Sequence, residues 1–266
     1  QGLPYYEKFI SAFPTIKDLA LAKEDDVLKL WQGLGYYSRA RNLYATAQFI
    51  HFEYNGIFPS TFNELLKLKG VGDYTASAIA SISFNIPEAV VDGNVYRFLS
   101  RYFGIETPIN SSAAQKEFKA KAMELIDVSQ PGDFNQALME FGSTQCIPRS
   151  PNCVVCPFAA ECVAYNQNKI HLLPVKTNKI KIRKRYFNYL VVLDSQGKCL
   201  MEQRTEKGIW QQLYQFPLVE SKTRIMTSSK LIHHEAFPSK LKSEVNQVTL
   251  WNTEPIVHKL SHQALW

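Results

Sequence analysis

The stretch from Leu68 to Asn94 limits what this chain can fold into more than any other. It opens Leu68-Lys69-Gly70-Val71-Gly72-Asp73-Tyr74-Thr75, continues through small and apolar residues from Ala76 to Phe84, and closes Val91-Asp92-Gly93-Asn94-Val95. Gly70 and Gly72 predict a turn too tight for side chains, followed by a helix whose first amides face outward and can cradle a phosphate. Upstream, Thr61 and Glu64 have capping-box spacing, and Phe62, Leu65, Leu66 and Leu68 supply one apolar face. The unit reads helix, hairpin, helix. Asp92 follows the apolar run Ala89-Val90-Val91 and precedes a glycine, which places a carboxylate where the chain leaves the core. On spacing alone, Asp92 serves equally well as a helix N-cap and the glycines as an ordinary turn.

Helical spacing governs the chain before and after this stretch. Tyr5, Tyr6, Phe9, Ile10 and Phe13 predict a first helix with Glu7 toward solvent, and Ile16 to Ala22 and Asp25 to Trp31 predict two more. Trp31-Gln32-Gly33-Leu34-Gly35-Tyr36-Tyr37 is a second glycine-punctuated turn, leading into a long helix from Ser38 to about Tyr54 that carries Arg39 and Arg41. Tyr96 to Tyr102, Ser112 to Ile126 and Phe134 to Phe141 are also helical by period, so residues 1–168 form a mainly α domain. Residues 169–185 read as a basic, extended linker, with six Lys or Arg between Lys176 and Arg185. From 186 to 266 the grammar turns to strands: Tyr186 to Leu193, a turn at Asp194 to Gly197, Lys198 to Arg204, shorter pieces around Gly208 to Trp210 and Leu213 to Leu218, and a final strand-like segment over Ile256 to Trp266. This second domain is a small α+β unit.

Four of the five cysteines, Cys146, Cys153, Cys156 and Cys162, fall within seventeen residues as C-x6-C-x2-C-x5-C. Two disulfides or a zinc site could use such a set. Without an export signal the redox compartment favours metal thiolates, and one close pair flanked by single cysteines at unequal intervals suits a 4Fe-4S cluster better than a zinc ribbon. Cys199 is expected to be a buried strand residue. The 266 residues include 30 basic and 24 acidic side chains, a balance of +6 that permits a polyanionic partner without requiring one. No run of some twenty apolar residues predicts a membrane span.

Taken in order, these motifs resemble the adenine-DNA glycosylases of the MutY type, within the helix-hairpin-helix superfamily that includes endonuclease III. The likeness runs through Gln32 to Asn42, the hairpin, Val91 to Val95, the cysteine spacing and a Nudix-like C-terminal domain. It implies removal of adenine mispaired with 8-oxoguanine or guanine in double-stranded DNA, by a bacterial, cytoplasmic, DNA-associated hydrolase of N-glycosyl bonds acting as a monomer with a 4Fe-4S cofactor. Asp92 would stabilise the sugar cation, Asn94 would support it, and Tyr74 would line the pocket. Bifunctional relatives carry a lysine where this chain has Tyr74, so strand cleavage through a Schiff base is not expected. Leu34, Gly35 and Tyr36 match the wedge, Gly70, Val71 and Gly72 the phosphate grip, and Ser261 and His262 the lesion-reading loop, with Leu260 in place of the usual Phe. The cluster would order a basic loop near Arg149. The Nudix-like domain lacks the acidic spacing for nucleotide hydrolysis and is expected to read DNA.

The same resemblance puts the general-acid glutamate just upstream of Gln1, since Glu7 and Glu24 stand at the wrong places. The chain as written is thus expected to be truncated at both ends, and to bind DNA while releasing adenine poorly. The competing readings are a thymine or pyrimidine glycosylase of the same superfamily and a lesion-binding protein without catalysis.

Overall fold

The computed structural model describes residues 2–177, 182–243, 248–252 and 254–266. It divides into two compact units, Gln1–Asn178 and Lys179–Trp266. Among the described residues no helix is long and apolar enough to cross a membrane.

The first unit is built from helices α1 (Leu3–Ala12), α2 (Ile16–Leu21), α3 (Glu24–Leu30), α4 (Tyr37–Glu53), α5 (Phe62–Leu65), α6 (Asp73–Phe84), α7 (Gly93–Phe103), α8 (Ser112–Leu125), α9 (Pro131–Thr144) and α10 (Val163–Asn166). Local chemistry marks most of the starts. Thr15 and Asp18 form a complete capping box, Ser111 caps α8, and Pro131 occupies the first turn of α9. The box expected at Thr61 is half made. The Thr61 hydroxyl accepts from the Glu64 amide at 3.4 Å and donates to the Glu64 carboxylate at 2.7 Å. Glu7 is exposed, as its spacing implies, but α1 buries no residue at all, and Tyr6 and Ile10 stand open.

Two apolar clusters hold this unit together. Ile50, Leu65, Leu68, Ala76 and Ala80 join α4, α5 and α6. Val95, Phe98, Leu99, Ala114, Phe118, Ala122 and Leu138 join α7, α8 and α9, and Ala89 adds the segment between α6 and α7 to the same cluster. Each fully buried Val, Leu or Phe here contributes on the order of 1.5–3 kcal/mol. The hairpin closes between the first cluster and the start of α6, and Asp92 closes the segment that runs from α6 into the second cluster.

The second unit contains β1 (Arg183–Tyr189), β2 (Glu202–Gln203), β3 (Tyr214–Gln215), β4 (Leu218–Ser221), α11 (Ser228–Ile232), α12 (Ser239–Lys242), β5 (His258–Lys259) and β6 (Gln263–Leu265). Four strands form a sheet in the order β4-β1-β6-β5, and β2 and β3 pair separately. β1 runs antiparallel to β4 and parallel to β6. Leu190, Val219, Phe237 and Leu241 make its core.

Four expectations change in this region. The strand begins at Arg183, inside the stretch read as linker, because Arg183 to Arg185 pair with Gln263 to Leu265. Lys169 to Leu173 close backbone turns that bring Leu173 into the core of the first unit, and residues 178–181 lie outside the described residues. The segment after the Asp194 turn pairs only through the Leu193–Cys199 bridge and at β2, which leaves Cys199 exposed instead of buried. The final strand-like segment is a hairpin, folded at Leu260 to Gln263.

Candidate active site and cysteine cluster

The hairpin rests on α4. The Thr46 hydroxyl donates to the Lys69 carbonyl at 3.0 Å, and the Val71 amide closes the turn onto Leu68. Gly70 has φ +81°, and a Cβ there would lie 2.5 Å from the Asn42 side-chain nitrogen, so position 70 requires glycine on two counts. Gly72 differs from its reading as part of a tight turn. It is extended, N-caps α6, and its missing Cβ faces open space. No side chain caps α6, and the amides of Asp73, Tyr74 and Thr75 have no intrahelical acceptor. Gly70 and Gly72 are exposed and Val71 is half-buried.

Asp92 is the N-cap of α7, and both of its oxygens are engaged. Its Oδ1 accepts from the amides of Asn94 and Val95, each at 2.8 Å, and its Oδ2 accepts from Asn94 Nδ2 at 2.9 Å. The Asn94 Oδ1 in turn accepts from Arg97 at 2.8 Å. Arg97 also donates to the carbonyls of Cys146 at 2.7 Å, Gly93 at 3.3 Å and Gly142. Burial pushes its guanidinium below the usual arginine range. A continuous hydrogen-bonded path therefore joins Cys146 to Asp92. Gly142 makes the close approach possible, since a Cβ there would meet the Asn94 carbonyl at 2.7 Å. Tyr74, exposed by 47%, turns its hydroxyl toward Met139 of α9 at 4.0 Å. Tyr74 and Val91, the residue before Asp92, border one cavity of about 360 Å³ together with Asp73, Tyr96 and Lys119.

At the far end of α7 the four clustered cysteines surround a second cavity with Phe98, Tyr102, Phe141 and Phe158. None of the five cysteines is in a disulfide. Burial and the neighbouring thiols raise the Cys153 thiol above its usual value. Arg101 is 2% exposed, donates to Cys146 Sγ at 3.5 Å, and spends its other donors on the carbonyls of Ile147, Pro148 and Leu173. The partners found for this buried guanidinium include no carboxylate, so it calls for negative charge on the sulfurs. Among the described residues no three His, Cys, Asp or Glu stand close enough to share one metal ion. Four thiols lining one cavity, with a buried cation beside them, form a set that could hold an anionic metal–thiolate centre.

The remaining sequence candidates are placed as follows. Leu34 is half-buried, Gly35 has φ +78°, and Tyr36 is 65% exposed with φ +50° and the Arg39 guanidinium 4.6 Å over its ring. A non-glycine residue held in the left-handed region costs on the order of 1–3 kcal/mol, a strain that clusters at working sites. Ser261 and His262 stand exposed at the tip of the β5–β6 hairpin, where the Arg183 amide donates to the His262 carbonyl at 3.0 Å. Arg149 is exposed between two of the cysteines. Sequence reasoning missed Arg97 and Arg101, although their four-residue spacing along the face that carries Asn94 was available.

Both units have relatives among known proteins. Residues 2–126 match the HhH-GPD superfamily of base excision DNA repair proteins, and residues 188–265 match the NUDIX domain. The adenine DNA glycosylase of Buchnera aphidicola subsp. Acyrthosiphon pisum is 35% identical over 264 residues, spanning 99% of this chain and 72% of that protein. The chain belongs to the adenine DNA glycosylase family. Among solved structures, a thermostable thymine-DNA glycosylase is 29% identical with a TM-score of 0.58, covering 62% of this chain and 76% of its own. A non-covalent endonuclease III–DNA complex is 25% identical with a TM-score of 0.55, again over 62% and 76%. For an adenine DNA glycosylase family member, the helical unit is the part that carries the base-excision fold, and the second unit is the Nudix-like addition.

Proposed function

We propose that the protein hydrolyses the N-glycosidic bond of adenine opposite 8-oxoguanine, or opposite guanine, without cutting the strand. The observation that supports this reading is Asp92 at the N-terminus of α7, next in sequence to Val91, which borders one cavity with Tyr74, the second residue after the hairpin's last glycine. The target adenine must leave the stack to be reached. The Gly70-Val71-Gly72 turn, closed by the Val71 amide, presents the uncapped amides at the start of α6 to the backbone phosphate, while Leu34, Gly35 and Tyr36 press into the space left in the duplex. Asp92 stabilises the oxocarbenium-like sugar as the purine departs, and Asn94 holds the carboxylate through Oδ2. Tyr74 offers no amine, so water ends the reaction. Ser261 and His262 read the oxidised base from the opposite strand.

Cys146, Cys153, Cys156 and Cys162 would hold a 4Fe-4S cluster, which would move no electron in a hydrolysis and would serve to order the loop that carries Arg149. We place the protein in a bacterial cytoplasm, acting on double-stranded DNA as a monomer.

Base release by the natural full-length protein from duplexes carrying A:8-oxoguanine, A:G, G:T or an oxidised pyrimidine tests the reading. Adenine leaves the first fastest and the second more slowly, with nothing released from the others. Faster thymine release from G:T would assign the chain to the chemistry named for the solved thymine-DNA glycosylase instead.

A further inference from the structure

The segment from Asn85 to Asp92 has no regular structure, yet its interior residues Ala89 and Val90 are fully buried. Two side chains from other helices carry much of its polar backbone. Asn135 of α9, itself fully buried, donates through Nδ2 to the Glu88 carbonyl at 2.8 Å and accepts at Oδ1 from the Val90 amide at 2.9 Å. Lys119 of α8 donates to the Ala89 carbonyl at 2.6 Å and pairs with the Glu88 carboxylate at 3.2 Å.

Both side chains also reach α6, and at matching places. Lys119 donates to the Ser77 hydroxyl at 2.6 Å and Asn135 to the Ser81 hydroxyl at 2.9 Å. Ser77 and Ser81 are one helical turn apart, both buried, on the helix that starts at the hairpin with Asp73 and Tyr74. Lys119 faces Asp73 as well, at 3.7 Å, and its ammonium lies 5.1 Å over the Phe62 ring. The two bridges therefore lock consecutive carbonyls of the segment, at Glu88 and Ala89, to consecutive turns of α6.

We propose that Lys119 and Asn135 are positioning residues that set the Asp92 carboxylate at a fixed depth against the hairpin and Tyr74. The idea rests on the assignment of Asp92 above. Lys119 borders the cavity beside Tyr74 with its ammonium engaged by Ser77, Ala89 and Glu88, and Asn135 is buried outside that lining. Their effect passes through a short, buried piece of backbone three or four residues long, ending at Asp92. Misplacing a reacting group by about 1 Å costs on the order of a hundredfold in rate. Loss of either bridge should therefore appear in the chemical step and not in DNA affinity.

The test is single-turnover adenine release from an A:8-oxoguanine duplex by the full-length protein, its Lys119→Met and Asn135→Leu variants, and Lys121→Met as a control. Lys121 lies on the same helix and pairs outward with Glu124. Affinity is measured in parallel on a duplex whose target sugar carries a 2′-fluorine that blocks cleavage. Lys119→Met keeps the stem and removes the ammonium, so it separates positioning from folding if Asn135→Leu proves unstable. We expect the Lys119→Met rate to fall about 10²-fold, with the dissociation constant and the Lys121→Met rate unchanged. A variant rate within twofold of the parent protein, measured below the melting temperature, overturns the proposal. An equal loss of rate and affinity also overturns it. No adenine release by the parent protein would instead overturn the reading of Asp92.

Discussion

Asp92 ends a buried segment tied by side chains from α8 and α9, whereas Ser261 and His262 stand at an exposed hairpin tip tied by backbone bonds. Both places were read from sequence as working residues, and the protein supports them differently. A charge meant to stabilise a transition state must be held within a fraction of an ångström, and supporting side chains do that. A reader of an altered base can adjust as it docks, so a loop tip on a small sheet suffices. Their surroundings follow the same division. Around Asp92 the packing residues include Val95, Leu99 and Phe118, all fully buried, while the second unit leaves Trp251 and Ile256 largely exposed.

The contrast can be broken at either end. Asp92→Asn should reduce single-turnover adenine release by about 10³-fold, while circular dichroism and bound iron stay unchanged. A rate near that of the parent would remove Asp92 from the chemistry. Arg97→Gln cuts the path between Asn94 and Cys146, and a supporting contact of this kind is worth roughly 10- to 100-fold in activity. Iron content measured on the same sample shows whether the cluster loop loosens as well. Ser261→Ala should lower the preference for A:8-oxoguanine over A:G by about tenfold, the loss of about one good base contact, and leave release from A:G itself unaltered. Equal losses on both duplexes would mean that the tip grips DNA without reading the lesion.

The smallest effect concerns the sheet that carries the tip. Arg185 holds Glu220 through two bonds of 2.6 Å, which lowers the Glu220 carboxyl below its ordinary value of 4.5. A depressed carboxyl contributes stability above that ordinary value and loses it as pH falls through the lower folded-state value. Because the pair is partly exposed, solvent screening limits the contribution to about 1 kcal/mol or less. Glu220→Gln should therefore lower the melting temperature slightly at pH 7, and by progressively less as the pH falls below 4.5. Tryptophan fluorescence reports on this region, since Trp210, Trp251 and Trp266 all belong to the second unit and only Trp31 to the first.

Helical period and glycine placement made the first unit legible, with most boundaries within a few residues. Pro131 and Asp92 shifted two starts outward, because a first-turn proline and an N-cap extend a helix beyond its apolar stripe. The second unit was harder to read. Its strands are short, and β1 takes Arg183 and Lys184 into a parallel pair, where charged residues look like a solvated linker. At the site, Asp92 could be found because glycine and an apolar run frame it. Of its two readings the cap is the one observed, and the proposed catalytic role is compatible with it, since the capped amides hold the carboxylate in place. Arg97, Arg101, Lys119 and Asn135 bond to backbone carbonyls or sulfur brought together by the fold. Spacing puts Arg97 and Arg101 on the Asn94 face of α7 but does not name the carbonyls and sulfur they meet, and it carries no mark of Lys119 or Asn135.

The account centres on hydrolysis at a site where Tyr74 stands in place of an attacking lysine and the one amine on the cavity lining, Lys119, is engaged by Ser77, Ala89 and Glu88. Its most direct test is the fate of the strand when the full-length protein acts on an A:8-oxoguanine duplex with and without sodium borohydride. We predict free adenine, an intact strand that breaks only on later treatment with alkali, and no protein–DNA adduct. Strand scission without alkali, with a borohydride-trapped adduct that vanishes when one nearby lysine such as Lys69 is replaced, would contradict it.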